Sequence, residues 1–493
     1  MNRPSACEDG HLTITVRKAA GRRRRARFKA VKTTILLLAC TSLAPVPSVG
    51  RTQTQTTEPQ PATRVVPTDA LTLPEAVDIA LRTNPMIRAT MSGQELARAQ
   101  IGEARAGRYP IVQFGEAFAR SNNPVFVFGS LLEQGRFGLE NFDVNALNNP
   151  DSLSNFRTSM TFRLPIFDQR QSGTRINQAE LGRQQSDAQT EIVRQQILLE
   201  VVKAYYGMLV AGAKKEAADE ATTLAEAEVK RSRDMFDTGL VVHSDLLAAE
   251  VQLAEFRQQQ IQAEGDLIIA QAALNTTLGL AVDAPQKLAG ELLEKGFNTV
   301  SKEESVRIAM ERRPELAHAR LAEQSAREGI RGARGELLPR VDVFGGYGVS
   351  GRNPADGSSD YTVGASVTFN IFDAGRKSKL ARANAALGSA AANQEHVANQ
   401  IRFEVVRAYQ QYVSARERLK VASRVVEQAR EALRIVQDRY QFGLTTITEL
   451  LRAQTTFVRS RMTVLSARYD HYVGFAGLLH STGTLTDVQF FVS

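Results

Sequence analysis

The side chains with the most to say about function sit in two short stretches 204 residues apart. One reads Phe236-Asp-Thr-Gly239-Leu240 followed by Ser244-Asp245-Leu-Leu, and the other Tyr440-Gln-Phe-Gly443-Leu444 followed by Thr448-Glu449-Leu-Leu. Each sets a glycine, able to take the positive φ that ends a helix, ahead of a hydroxyl residue expected to cap the next helix. An acid, Asp245 or Glu449, follows at that helix's positive end. Such a pattern builds a tight helical turn with a carboxylate at a fixed place; it does not build a catalyst. The sequence has no Walker-type phosphate loop, no nucleophile elbow and no His-Glu pair at zinc spacing, and its six histidines are scattered. No catalytic, cofactor-binding or metal-binding residues are expected, and no enzyme.

Bulk charge at first suggests nucleic acid, with a formal net charge of +8 over 493 residues. Residues 1–40 alone hold ten Lys/Arg against two acids, leaving 51 of each in the remainder. The folded part is therefore balanced and offers no basic patch to a nucleic acid. The basic run from Arg22 to Lys32, followed by an apolar stretch from Ile35 to Ala44, reads as a secretory signal over residues 1–44. Cys40 closes Leu37-Leu38-Ala39-Cys40, which resembles a lipoprotein cleavage box in which the cysteine is acylated; the alternative is an ordinary signal cleaved after Ala44 or near Gly50. The second cysteine, Cys7, also lies in the leader, so the body has neither an internal disulfide nor a cysteine metal site. Residues 45–70, rich in Thr, Gln and Pro, read as a flexible linker.

The elements that position the two turns occur twice. Ala80-Leu-Arg-Thr-Asn-Pro85 matches Ala309-Met-Glu-Arg-Arg-Pro314, and Glu200-Val-Val-Lys-Ala-Tyr205 matches Glu404-Val-Val-Arg-Ala-Tyr409. The tandem duplication gives a first repeat at 71–284, a second at 285–484 and a tail at 485–493. Each copy predicts a short helix (73–82, 302–312), a second helix (85–108, 315–336), a strand pair, a very long helix and a closing helix. The strands are expected at 112–120 and 156–167 in one copy and at 341–350 and 361–372 in the other.

In 361–372, Tyr361, Val363, Ala365, Val367, Phe369 and Ile371 alternate with Thr362, Gly364, Ser366, Thr368 and Asn370. One face is greasy and the other small or polar, which suits a membrane β-barrel or a soluble sandwich with one wet face. Context favours the membrane, because the two hairpins are the only sheet in a helical chain. Four strands cannot close a barrel, so the subunit must oligomerise. Residues 121–155, an insertion in the first hairpin, read as a long loop on the outer side, either a lid over the mouth or an exposed loop without a gating role.

Along the stretch that begins at 376 the apolar residues Ile401, Val405, Ala408, Tyr412, Ala415, Leu419, Ala422, Val426, Ala429, Leu433, Val436 and Tyr440 recur at spacings of 4 and 3. That is a coiled-coil seam. Its partner runs Leu450, Ala453, Phe457, Ser460, Val464, Ala467, His471, Gly474 and Leu478. A helix of this length spans about 100 Å, more than a globular core requires.

Residues 71–484, and above all the repeated turn motif, resemble the TolC-like outer membrane efflux protein family. The resemblance implies a mainly α fold with a membrane β part. A homotrimer would join an α-helical periplasmic barrel of coiled-coil pairs to a 12-stranded β-barrel, with four strands per subunit. It implies an outer-membrane exit duct of a tripartite efflux pump, projecting into the periplasm and passive in itself. An adaptor would open it by docking on the turns at Gly239, Leu240, Ser244, Gly443, Leu444 and Thr448. Asp245 and Tyr440 would help latch the tip, with Glu449 beside them. Thr445 stands where a basic residue is common and Arg452 where an acid is, so the latch would be wired differently. Partners would be two further copies, the adaptor, an inner-membrane transporter of RND, ABC or MFS type, and outer-membrane lipid, with no nucleic acid and no cofactor. The competing readings are an outer-membrane component of type I protein secretion and an envelope-spanning coiled-coil structural protein.

Overall fold

The computed structural model describes residues 70–492; the expectations for the leader, Cys40 and the linker lie outside them. The first copy opens with α1 (Leu73–Thr83). Thr72 and Glu75 cap it reciprocally, Thr72 Oγ1 accepting from Glu75 N and Glu75 accepting from Thr72 N. Asn84-Pro85 ends α1 and starts α2 (Pro85–Ala106), the Asn84 side chain accepting from Met86 N at 2.8 Å while proline takes the first helical position. Then come β1 (Ile111–Ser121), an insertion with α3 (Pro124–Glu133) and α4 (Val144–Asn148), and β2 (Leu153–Asp168). The copy ends with the 67-residue α5 (Gln171–Asp237) and with α6 (His243–Leu278). The second copy repeats the order with α7 (Lys302–Arg312), α8 (Pro314–Gly335), β3 (Arg340–Asn353), β4 (Asp356–Thr368), the 66-residue α9 (Arg376–Gln441) and α10 (Ile447–Ser481). A last short helix, α11, covers Gln489–Val492.

Besides earlier starts of β2 at Leu153 and of β4 at Asp356, the structure departs from the sequence reading in the insertion and at the end of β4. The insertion is not a loop throughout: α3, a 3₁₀ turn at Leu139–Phe142 and α4 organise it around Phe137, whose ring meets Phe128 and Phe142 edge-on at 4.8 and 5.1 Å. And β4 stops at Thr368, four residues short of the alternating pattern. Its partner β3 begins at Arg340, opposite Thr368, so Phe369 to Phe372 have no strand to pair with. There the chain turns into α9 instead, with Asp373 Oδ1 accepting from Gly375 N and Arg376 donating to Asn370 O.

The main core is a belt half-way along the long helices, where α1, mid-α5, the end of α6 and α10 bury Ala76, Val201, Val202, Leu274, Phe475 and their neighbours. Residues 281–300 cross this belt as a strap whose carbonyls receive side chains from the long helices. Tyr472 OH donates to Leu293 O (3.1 Å), Arg468 to Leu292 O (3.0 Å) and Tyr412 OH to Phe297 O (3.2 Å). The Phe297 ring stacks on Phe475 at 4.2 Å. Duplication shows in the joints: Asn84 Nδ2 donates to Thr277 O at the end of α6, and Arg313 donates to Ser481 O at the end of α10.

One antiparallel sheet, in the order β1-β2-β3-β4, sits at the far end of the short helices. The register aligns Val112, Phe162, Gly345 and Val363 on one face, and Arg157 with Ser350 and Ser358 on the other. The first face is apolar and exposed, Tyr361 by 80%, Phe114 by 70% and Val363 by 69%. Its polar exceptions are Glu116, which accepts from its cross-strand neighbour Thr158 Oγ1, and Arg120 at the strand end. The second face carries Gln113, Arg157, Ser159, Thr161, Arg163, Asp360 and Thr362 among glycines and alanines, with Phe344 its large apolar exception. No helix among the described residues is long and apolar enough to cross a membrane.

Candidate functional site: the helical tip and the two-faced sheet

Both helical turns close as Schellman motifs, the arrangement that satisfies the last carbonyls of a helix when the next residue is left-handed. Leu240 N donates to Met235 O (2.8 Å) and Gly239 N to Phe236 O (2.9 Å); Leu444 N donates to Arg439 O (2.8 Å) and Gly443 N to Tyr440 O (3.0 Å). Gly239 and Gly443 have φ of +75° and +67°. The following leucines, Leu240 and Leu444, are exposed by 72% and 65%, with Phe442 beside them equally bare.

Ser244 and Thr448 do not cap the following helices. Each helix starts two residues earlier than the hydroxyl pattern suggests, putting both residues inside the first turn. Thr446 is the cap of α10, its hydroxyl accepting from Glu449 N at 3.4 Å, while the equivalent position before α6 is Val242, which has no cap oxygen. Asp245 and Glu449 are third in their helices, within the first turn where the helix dipole favours a carboxylate.

Among the expected gate residues, Asp245 lies close enough to Tyr440 for its charge to act on the hydroxyl, whereas Glu449 is left aside. Val229, Leu246 and Ala249 of the first coiled-coil pair pack on Ile447 and Leu451 of the second, with Tyr440 against them. Tyr440 is half-buried and its hydroxyl has no hydrogen-bond partner. Burial, then the nearby charges of Glu228 and Asp245, raise its pKa above the usual tyrosine value. Glu449 instead lies 3.7 Å from Arg452 on an exposed face. Between the two pairs, Thr455 of α10 donates to Gln252 of α6 at 3.0 Å, and Arg461 bonds Glu220 of α5.

Glu228, which the motif search missed, is the buried acid of this tip. One carboxylate oxygen lies 3.5 Å from Arg231, and the other has no partner. Burial pushes its carboxyl above the ordinary range, and Arg231 partly opposes that. A signal was present in the sequence: Ala218, Ala221, Ala225, Glu228 and Ser232 continue a 3-4-3-4 seam, all are buried, and the last two are polar where a coiled coil wants apolar side chains.

The family model of the outer membrane efflux protein matches residues 76–280 and 306–484, one span for each copy. The chain belongs to that family. As an outer membrane efflux protein it resides in the outer membrane, and the exposed apolar face of the four-stranded sheet is the surface suited to lipid. Protein CyaE of Bordetella pertussis is 28% identical over 82% of this chain and 81% of its own. The outer membrane protein TolC of Vibrio cholerae is 25% identical over 65% of this chain and 75% of its own. In fold, the CmeC outer membrane channel of Campylobacter jejuni superposes with a TM-score of 0.73 at 16% identity, covering 84% of this chain and 86% of that one. The family is one of channels rather than enzymes, and among the described residues no group of His, Cys, Asp or Glu could hold a metal.

Proposed function

We propose that three copies of this efflux protein form one exit duct, each contributing four strands to a 12-stranded barrel and its long helices to a periplasmic tunnel. The observation that carries this reading is the sheet itself. Both its edges, β1 and β4, are unpaired among the described residues, and its apolar face is bare. In lipid an open edge is untenable, and the sheet is too small to close alone. The polar face then lines the lumen. The exposed Leu240 and Leu444, held at the ends of rigid turns, supply a docking point for a periplasmic adaptor hairpin, with Gly239, Ser244, Gly443 and Thr448 shaping it. Asp245 and Tyr440 form the resting contact between the two coiled-coil pairs, and Glu449 adds a second ring of carboxylates. An inner-membrane transporter of RND, ABC or MFS type, reached through the adaptor, supplies the energy, and Cys40, where acylated, adds a lipid anchor.

Negative-stain electron microscopy of the detergent-extracted mature protein tests the assembly. The expected particle is a threefold cylinder roughly 130 Å tall, from about 100 Å of helix and a barrel of about 30 Å. Monomers without a barrel end would overturn the reading and leave an envelope-spanning coiled-coil protein in its place.

A further inference from the structure

The insertion between β1 and β2 is seated mainly on one face of the sheet; only Ser152, where it rejoins β2, reaches round to accept from Arg120 at the strand end of the other. Every strand side chain it touches in the contacts that follow points to the polar side. Glu133, the last residue of α3, accepts from Ser350 Oγ (3.3 Å) and lies 3.3 Å from Arg157, whose other nitrogen meets Asp360 at 3.0 Å. Gln134 Nε2 donates to Asn155 Oδ1 (2.9 Å) and to Ser154 O (3.0 Å), and lies 3.4 Å from Gly351 O. Gly135, at φ +65°, comes close enough to Ser358 that an added Cβ would sit 3.4 Å from the serine's own. Gln134, Asn155 and Ser350 are buried under this contact. The three strands gripped are β2, β3 and β4, at the end of the sheet away from the long helices: all four helix connections, at Ile111, Asp168, Arg340 and Thr368, leave from the opposite end.

We infer that residues 122–152 form a lid seated inside the outer mouth of the duct, clasped to the wall by Glu133 and Gln134, and that the three lids of a trimer constrict the opening. This rests on the reading that the polar face lines the lumen. Size supports it. Twelve strands spaced about 4.8 Å apart and tilted about 40° enclose a bore of roughly 25 Å between backbones. An α-helix with its side chains is about 10 Å thick, so one lid on each third of the wall removes most of that width. Chemistry supports a releasable clasp: its ion pairs are between a third and a half exposed, a setting in which such pairs hold weakly. The lid is also a folded unit rather than a slack loop, since Phe137 packs edge-on between Phe128 and Phe142 and Val127 beneath them is buried.

A cysteine placed at Thr161, on the polar face and deeper than the lid, reports access from outside. The mature body has no cysteine beyond position 40, and mass spectrometry of the peptide containing residue 161 isolates the signal. Intact cells carrying the full chain are treated with a polymer-linked maleimide. The variants compared are the native lid, a lid replaced by a short Gly-Ser turn, and Glu133→Ala with Gln134→Ala, each confirmed as an extractable trimer. A lid closed more than about nine-tenths of the time slows labelling at least about tenfold relative to the lidless chain, with the double substitution in between. Equal rates in the native and lidless trimers would overturn the lid. Reporter cysteines at Leu139, exposed on the lid, and at Tyr361, on the apolar face, separate the two levels of the argument. If Leu139 is labelled but Thr161 stays unreactive even without a lid while Tyr361 reacts, the polar face does not line the lumen, and the channel orientation falls with the lid.

Discussion

Glu228 behaves oppositely to an exposed carboxylate, and its sign can be worked out. Its carboxyl is raised because burial penalises the charge, with Arg231 opposing; Tyr440, which feels the charges of both Glu228 and Asp245, is the other titratable group beside it. A raised carboxyl contributes stability that is complete below about 4.5, its ordinary value, and lost as the pH climbs through the raised one. The tip should therefore be tightest in acid and loosen toward neutrality. Glu228→Gln keeps the shape without the charge, so hydrogen exchange of residues 228–245 should slow at neutral pH relative to the native chain and be unchanged near pH 4. Equal exchange at both would show that Glu228 does not load the tip. The joint at Arg313 is the other residue with a calculable role. Its buried guanidinium binds Glu315 at 2.7 Å and Glu404 at 3.0 Å, and it caps Ser481 O. Arg313→Ala strands two half-buried acids and should cost about 3 kcal/mol, read as earlier thermal unfolding. A loss no larger than that of a surface arginine such as Arg430, paired on an exposed helix face, would argue against it.

At the scale of elements, the seam from Ile401 to Val436 was legible because a 4-3 spacing has one structural meaning, and the structure buries nine of its first ten positions, Ala408 being half-buried. Leu419→Ala should accordingly cost about 2–4 kcal/mol. Val421, two residues on and 62% exposed in the subunit, should lose less than about 0.5 kcal/mol as alanine. A larger loss at Val421 in the assembled protein would mark it as covered by a neighbouring copy. The caps were not legible. Ser244 and Thr448 look like cap residues from their type, yet the Schellman turns release the chain early enough for each helix to start two positions sooner, and only backbone geometry reveals that. Thr446→Ala should therefore weaken α10 by about 1 kcal/mol and Thr448→Ala by a few tenths, a difference that chemical denaturation of the paired variants resolves; the reverse order would restore the sequence reading. The end of β4 was hidden for a related reason. Alternation continues to Ile371, but a strand lasts only while its partner does, and where β3 begins is a property of the pairing. Glu228 was hidden because the seam holding it runs in the first copy through alanines, which mark a heptad faintly.

For the whole molecule, closure and charge combine. If three copies surround one axis, Asp245 and Glu449 place six carboxylates at the tip, with Glu228 adding three more only when ionised. Rings of like charge in a narrow, partly desolvated passage select counter-ions, whereas carboxylates pointing outward into water are screened within about 8 Å at physiological salt. In planar bilayers the native trimer should therefore favour potassium over chloride. Asp245→Asn with Glu449→Gln should abolish most of that preference, and because Glu449 is already beside Arg452, Asp245→Asn alone should account for the larger share. Raising the salt should leave the native selectivity in place if the rings line the passage and erase it if they face outward. A double variant as cation-selective as its parent would place both acids outside the conducting path, and the proposed pairing of Asp245 with Tyr440 would then have no part in a gate.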